Sequence, residues 1–147
     1  MQVNHSCTGF ILNTMTTLFQ HTLYGFYLLN EKQPILFFDW TAKTQEMDYE
    51  DFKTACNNYA GFAWQYQAKH LLVDTRNFHF QLPPGFTGWR EDQLNPRYYQ
   101  LGVLKFAYIT KPEFIEWMKD IPAENGKFET KHFTSVTDAM NWLNLST

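Results

Sequence analysis

The chain has 147 residues, of which 44% are hydrophobic, 18% aromatic and 18% charged, and its formal net charge is −3 at pH 7. This length and composition fit one globular domain with a full core. Lys and Arg are scattered singly, which argues against nucleic acid as a partner, because phosphate binding needs clustered cations. The two cysteines, Cys7 and Cys56, cannot form a disulfide framework and fit a reducing cytoplasm.

The first residues predict neither a secretory signal nor a membrane span. No Lys or Arg precedes Lys32, so the charged start of a signal peptide is missing. The run GFILNTMTTLF is too short and too polar to cross a bilayer. We therefore expect a cytoplasmic protein without a membrane partner, in which residues 1–15 form a weakly ordered extension and residues 16–147 form the domain.

A β-hairpin is predicted near the N-terminus. The runs Leu23–Leu29 and Ile35–Trp40 are rich in aromatic and aliphatic residues, and Asn30–Gln33 between them has the composition of a turn. A short strand around Thr16–Gln20 is also expected. Both faces of the hairpin carry apolar side chains, so either further layers cover both sides or one face meets a partner.

A helix and a buried strand follow the hairpin. Asp48 and Asp51 form a capping-box pattern. His70–Thr75 is an apolar run without alternation, as in a strand buried on both faces. A second helix is expected to start near Pro84, and Pro96 should end or kink it. The stripe that predicts the first helix, and its core-facing side, consists of Tyr49, Phe52, Cys56, Tyr59, Ala63 and Tyr66.

Strands and helices are predicted to alternate in the C-terminal half as well. Val103–Ile109 is predicted as a strand, and Thr110 with Glu113 forms a helix-start pattern. Phe128–Phe133 alternates as an edge strand does, and Ser135 with Asp138 opens a last helix. The fold class predicted is therefore α/β, with an N-terminal β-hairpin, then alternating helices and strands in a mixed, mostly parallel sheet. The inner side expected for the helix after Thr110 consists of Phe114, Ile115, Met118 and Ile121.

Several segments resemble the bacterial SpoIIAA-like (STAS-like) proteins. These are ILFFDW, LLVDTRNF, LGVLKFAYIT, FETKHF and DAMNWL, and the similarity runs from about Tyr24 to Leu143. The most specific parts are Asp74–Asn77 and the spacing from Phe133 to Leu143. The resemblance implies a compact α/β fold of an uncharacterised branch. It also implies a binding or regulatory role rather than catalysis.

One departure from the family concerns phosphorylation. Anti-sigma-factor antagonists with this fold carry an Asp-Ser at the start of the helix after the central strand, and that Ser is phosphorylated. The matching region here is QLPPGFTGW, which has no Asp-Ser. Thr87 is the only nearby hydroxyl, and no acidic residue precedes it, so Thr87 is a very weak phosphorylation candidate.

The polar cluster after the central strand is the main candidate site. Asp74, Arg76 and Asn77 stand at its carboxyl end, where ligands bind in open α/β sheets. Arg76 offers a planar fork for a carboxylate or phosphate. Trp89 would border an apolar pocket beside this loop. The structural alternative is that Asp74 and Asn77 bond to loop backbone while Arg76 pairs with Asp74, and that Trp89 belongs to the core.

The sequence predicts no catalytic, metal or cofactor site. The five histidines have no ligand spacing, and no Gly-rich phosphate loop occurs. Cys56 lies on an inward helix face, where an inert thiol is expected. Arg90, Glu91 and Asp92 are interpreted as a solvated helix face.

The sequence favours two functions, and a third, an enzyme, is disfavoured because no nucleophile–base pair or metal set can be assembled. The first is a non-enzymatic STAS-like regulatory module that docks a protein partner, or a second copy of itself, through the aromatic hairpin. The second is a carrier or sensor for a small apolar or anionic ligand, held near Asp74–Asn77 and Trp89 with Arg76 as the fixing cation.

Overall fold

The computed structural model describes residues 15–145, which form a six-stranded sheet covered on both faces. The predicted N-terminal extension lies outside this range, apart from Met15. The strands are β1 (Thr16–Gln20), β2 (Tyr24–Leu29), β3 (Ile35–Trp40), β4 (His70–Asp74), β5 (Lys105–Ile109) and β6 (Glu129–Phe133). The helices are α1 (Tyr49–Tyr66), α2 (Phe86–Trp89), α3 (Asn95–Leu101) and α4 (Val136–Leu143), with a π-helical turn at Arg90–Leu94 and 3-10 turns at Ala42–Glu46 and Pro112–Trp117.

The six strands lie side by side in the order in which they occur along the chain. β1, β2 and β3 pair antiparallel, and β3 through β6 pair parallel. The single α/β domain predicted from the sequence is therefore confirmed. The expected short strand at Thr16–Gln20 is also present and forms one edge of the sheet.

The order of the strands decides which face each helix covers. Parallel crossovers of one hand that step in one direction across a sheet stay on one face. Accordingly, α1 and the stretch from α2 to α3 pack on the face formed by Phe38, Leu71 and Phe106. α4 follows the last strand and packs on the opposite face, against Leu72 and Ile109. Burial on both faces explains why the central strands lack polar alternation.

The aromatic side chains of the hairpin β2–β3 are buried inside the domain. Phe26, Phe38 and Trp40 are at most 3% exposed. The Phe26 and Phe38 rings meet edge to face, and the centroids of Phe38 and Trp40 lie 4.4 Å apart. Within residues 15–145, the hairpin thus offers no large exposed aromatic surface of the kind expected for a docking partner.

Two of the helix starts predicted from the sequence are confirmed. The Asp51 backbone N–H donates to the Asp48 carboxylate at 2.8 Å, and the Asp48 N–H donates to the Asp51 carboxylate at 3.2 Å. This reciprocal capping box starts α1. The Ser135 hydroxyl accepts from the Asp138 N–H at 3.1 Å and starts α4.

Pro96 does not end its helix but widens the turn before it. Proline has no N–H for the carbonyl four residues earlier, and its ring crowds that carbonyl. The chain instead forms the π-helical turn Arg90–Leu94, in which the Asn95 N–H donates to the Arg90 carbonyl, and it then continues as α3. Gly102 ends α3 in the left-handed region at φ 87°, where glycine carries no Cβ penalty.

The prediction of a helix after Thr110 is wrong. The chain forms only a 3-10 turn at Pro112–Trp117 and then runs in extended form. Two interactions hold this segment away from helical geometry: Ile121 pairs with Thr130 through two backbone hydrogen bonds, and the Asp120 carboxylate accepts from the His132 N–H at 2.9 Å. Pro122 also disfavours helix at the residue before it. The side chains expected to face inward at 114, 118 and 121 are exposed instead.

Tyr59 ties α1 to the centre of the sheet. Its hydroxyl is buried and donates to the Leu36 carbonyl at 2.6 Å, and it lies 3.5 Å from the Leu72 carbonyl on the next strand. A single side chain thus reaches both β3 and β4. This contact fixes the distance between α1 and the sheet.

We expect Tyr59→Phe to lower the free energy of unfolding by about 1 kcal/mol, the usual net value of one buried hydrogen bond. Urea denaturation checks this. Tyr66→Phe, at a half-buried position on the same helix, is the matched control and should change little. Equal effects of the two substitutions would contradict the assignment.

Candidate functional site

A cavity of about 640 Å³ lies between the sheet and the elements on the α1 face, and we call it the aromatic cavity. Its floor is formed by side chains of β3 to β6, and α1 forms one wall. The stretch from α2 to α3 and the segment 117–128 form the others. The principal lining side chains are Phe38, Trp40, Phe52, Cys56, Tyr59, Val73, Phe78, Phe86, Arg90, Leu94, Tyr98, Phe106, Tyr108, Trp117, Phe128 and His132.

The missing helix in the third crossover explains why this space is open. α1 packs against the sheet with small and aromatic side chains such as Ala55, Ala63 and Tyr59. The segment 112–128 presents no helix face to the sheet, and Trp117 is 70% exposed. Space that a third helix would fill is therefore left beside β5 and β6, near the carboxyl ends of the parallel strands. Ligands in open α/β sheets bind outside those ends.

Arg90 brings a positive charge into the wall of the cavity. Its guanidinium carbon lies 5.0 Å from the centroid of the Phe86 ring. Its Nε atom is buried and has no hydrogen-bond partner within residues 15–145. Burial raises the pKa of Tyr108, and the charge and hydrogen bond of Arg90 partly offset that effect. Arg90 and Tyr108 thus form a polar centre in a cavity lined mainly by aromatic and aliphatic side chains.

His132 lies beside this centre on β6. Its Nδ1 atom is 3.2 Å from the Asp120 carboxylate, and its ring stacks on Tyr108 with centroids 5.2 Å apart. The backbone N–H of His132 donates to the same carboxylate. Asp120 therefore fixes both the backbone and the ring of His132 at the cavity wall.

Three further buried side chains of the cavity, Cys56, Tyr59 and Tyr98, are held neutral. Burial raises the pKa of the Cys56 thiol and also raises the pKa values of Tyr59 and Tyr98. A thiol in such surroundings is a poor nucleophile, because the thiolate is the reactive form. These groups provide shape and apolar surface rather than acid–base chemistry.

The structure places Asp74 and Arg76 in a closed pair outside the aromatic cavity. Arg76 donates to Asp74 from Nε at 3.1 Å, from Nη2 at 2.8 Å and from its backbone N–H at 3.0 Å. This is the pairing that the structural alternative predicted. The neighbouring residues Thr75 and Phe78 do line the cavity.

Asn77, Trp89 and Thr87 also lie outside the lining of the cavity. Asn77 is exposed, and its backbone carbonyl accepts from the Thr44 hydroxyl at 3.1 Å. Trp89 is half-buried against the rings of Tyr49 and Phe52. Thr87 is exposed in α2. The ligand and phosphorylation roles proposed for these residues stay predictions.

Sequence reasoning missed Arg90, although a signal for it was present. Phe86, Arg90, Leu94 and Tyr98 follow one another at spacings of four, which places them on one helix face. Phe86 and Leu94 are the apolar members of this face, and both line the cavity. The Arg90 between them therefore belonged to the inward face, and its interpretation as a solvated residue overlooked this spacing.

A second group of charges lies on the opposite face of the sheet. Asp39 and Asp74 are in register on neighbouring parallel strands. Burial, and then repulsion from Asp74, raises the pKa of Asp39 to about 7, although Arg76 acts in the opposite direction. Gly25 opposes Asp39 on β2, and a Cβ there would lie 2.5 Å from the Tyr27 hydroxyl. Glycine thus lets Tyr27 lie close to the strand beside Asp39.

Residues 15–145 lack both a metal site and a membrane-spanning helix. No group of three or more His, Cys, Asp or Glu side chains there is placed to hold a metal ion. None of the helices in the described range is long and apolar enough to cross a membrane.

The chain was also compared with protein-family models, curated proteins and solved structures, and nothing matches. The resemblance to SpoIIAA-like proteins therefore stays a prediction. The site has to be interpreted from its own geometry.

The raised pKa of Asp39 predicts a pH-dependent stability. Between about pH 4 and pH 7, folded Asp39 holds a proton that the unfolded chain releases, so stability falls as pH rises through this window and stays low above it. Asp39→Asn should remove this loss. At pH 8 we expect the free energy of unfolding to rise by roughly 1–3 kcal/mol. This range follows from about 1.4 kcal/mol per pKa unit, reduced by solvent at a half-buried group. The rise at pH 5 should be smaller.

Urea denaturation of the wild type and the variant at pH 5 and pH 8 tests this expectation. Glu31→Gln, at an exposed turn, is the control and should show the wild-type dependence. A gain for Asp39→Asn that is the same at both pH values would show that the Asp39 carboxyl ionises normally.

Proposed function

We propose that the protein is a binding module that holds a small, largely apolar molecule in the aromatic cavity. The observation that carries the proposal is the cavity itself, about 640 Å³ in volume and lined mainly by aromatic side chains. Ligand sites are commonly concave, mostly apolar spaces of about 300–1,000 Å³ with a few polar groups. Arg90 and Tyr108 supply such polar groups here.

The position of the cavity supports the same function. Its floor is built by four parallel strands and its walls by the segments that connect them, so the lining side chains come from many parts of the fold. Val73, Phe106 and Tyr108 stand on central strands whose backbone is fixed by neighbours on both sides. Such a floor presents a preformed shape, which lowers the entropic cost of binding.

An uncharged fluorophore, N-phenyl-1-naphthylamine, tests the proposal directly. We expect saturable binding with a rise in fluorescence as the probe leaves water. Val73→Phe should weaken binding about tenfold or more, because a larger side chain would occupy the floor of the cavity. Thr17→Phe adds the same ring at an exposed position on β1 and should bind like the wild type.

Thermal melting and circular dichroism of Val73→Phe show whether the variant keeps its fold. Absence of saturable binding to the wild type would contradict the proposed function. Unchanged binding to a folded Val73→Phe variant would place the probe elsewhere on the protein.

We also infer a second function, contact with a protein partner or a second copy, because one surface segment exposes apolar side chains. Trp117 is 70% exposed and Ile121 is 50% exposed. Phe114 and Met118 on the same segment are exposed as well. Contiguous exposed apolar surface commonly marks an interaction site. This segment replaces the buried hairpin as the surface that supports the regulatory role expected from the sequence.

Sedimentation equilibrium tests self-association through this segment. We expect the wild type to form a dimer as its concentration rises. Trp117→Glu should raise the dissociation constant of the dimer at least tenfold, since a charge would then be buried in the contact. Trp64→Glu is the matched control, because Trp64 is 56% exposed on α1 and away from the segment. A wild type that stays monomeric at all concentrations would exclude self-association as this function.

A further inference from the structure

The charge on Arg90 is the least satisfied polar feature of the aromatic cavity. The Nε atom is buried without a hydrogen-bond partner in the described part of the chain. None of the ion pairs formed within residues 15–145 includes Arg90. Arg90 as a whole is half-buried, and a buried N–H such as that of its Nε atom is costly unless an acceptor compensates for its lost hydration.

The two carboxylates that line the cavity do not supply this compensation. Glu91 follows Arg90 directly and accepts from the Asn95 side chain at 3.1 Å. Glu124 belongs to the segment 117–128, where its backbone pairs with Lys127. Neither approaches Arg90 within ion-pair distance. Apart from its hydrogen bond to Tyr108, the guanidinium is therefore available to a negative group that enters from solvent.

Arg76 and Arg97, by contrast, both have hydrogen-bond partners for their guanidinium groups. Arg76 forms a two-point pair with Asp74. Arg97 is exposed on α3 and donates to the Asn57 side chain at 3.2 Å. Arg90 differs from both because it faces an aromatic cavity and has no acidic partner there.

We propose that the ligand is an amphiphilic anion, whose head group binds Arg90 while its apolar part lies among the aromatic rings. This proposal rests on the proposed function and deepens it. Arg90 can offer two N–H groups side by side to a carboxylate, sulfate or phosphate oxygen pair. Phe52, Phe86 and Phe106 supply the apolar surface around the same space.

Tyr108 completes the head-group site. Its ring packs between Phe106 and His132, with centroid distances of 4.8 and 5.2 Å. This stacking holds the hydroxyl beside Arg90. The head group is therefore bound at the β5 and β6 side of the cavity, where Thr110 and Thr130 also line the wall.

Competition with bound N-phenyl-1-naphthylamine tests the charge of the ligand. The competitors are decanoate, decyl phosphate and 1-decanol, which share one chain length and differ in the head group, each used below its aggregation concentration. We expect at least one of the two anions to displace the probe at a concentration about tenfold or more below that of decanol, as charge-assisted hydrogen bonds would give. The better of the two identifies the head-group chemistry.

Two substitutions of Arg90, with Arg97→Met as the control, test whether the effect depends on Arg90. Arg90→Met should remove the advantage of the anions, measured as the ratio of the decanol and anion concentrations that displace the probe from that variant. Arg97→Met, on the neighbouring helix α3, should behave like the wild type. Arg90→Lys keeps the charge but loses the two-point geometry, so it should retain part of the preference.

The outcomes separate the two proposals. Equal competition by decanol and both anions in the wild type, or an anion preference that persists in Arg90→Met, overturns the anionic ligand and leaves the cavity as an uncharged binding site. If isothermal titration shows no binding of the probe or of any competitor, both proposals fail. If Arg90→Met does not fold, the wild-type comparison and Arg90→Lys still decide.

Discussion

The parallel part of the sheet constrains almost everything else in this protein. β3, β4, β5 and β6 lie in sequence order, so three successive connections must share one face. Two of them bring helices, and the third, residues 112–128, brings a 3-10 turn and extended chain. The third connection thus leaves space on the shared face, above a floor of side chains from β3 to β6. The aromatic cavity is the consequence of that uneven covering.

The fold was predictable because its elements follow simple local rules. Asp48 and Ser135 start helices through side-chain caps that are visible as sequence patterns. The strands stand out as short apolar runs between turn residues. These signals are local, so they need no knowledge of the partner across the sheet.

The errors arose where long-range contacts override local propensity. Thr110, Pro112 and Glu113 look like a helix start, yet the pairing of Ile121 with Thr130 and the contact of Asp120 with His132 pull the segment toward β6. Both contacts depend on residues about ten positions apart that no periodic pattern connects. The sequence did not point to Arg90 for a related reason. Arg76 and Arg90 are equally polar in sequence, and only the fold shows that Arg76 pairs with Asp74 whereas Arg90 forms no ion pair within residues 15–145.

The segment 112–128 also links the two functions inferred for the protein. Trp117 and Ile121 line the aromatic cavity and are at the same time exposed to solvent. The regular backbone pairing of this segment consists of the bridge from Ile121 to Thr130 and the short turn from Glu124 to Lys127. Segments with few such bonds open at low free energy. A molecule in the cavity would add contacts to Trp117 and Ile121 from the inside, and a protein partner would add them from the outside. Because both would act on one weakly held segment, occupation of the cavity would change the affinity for a partner, and the partner would change the affinity for the ligand by the same factor.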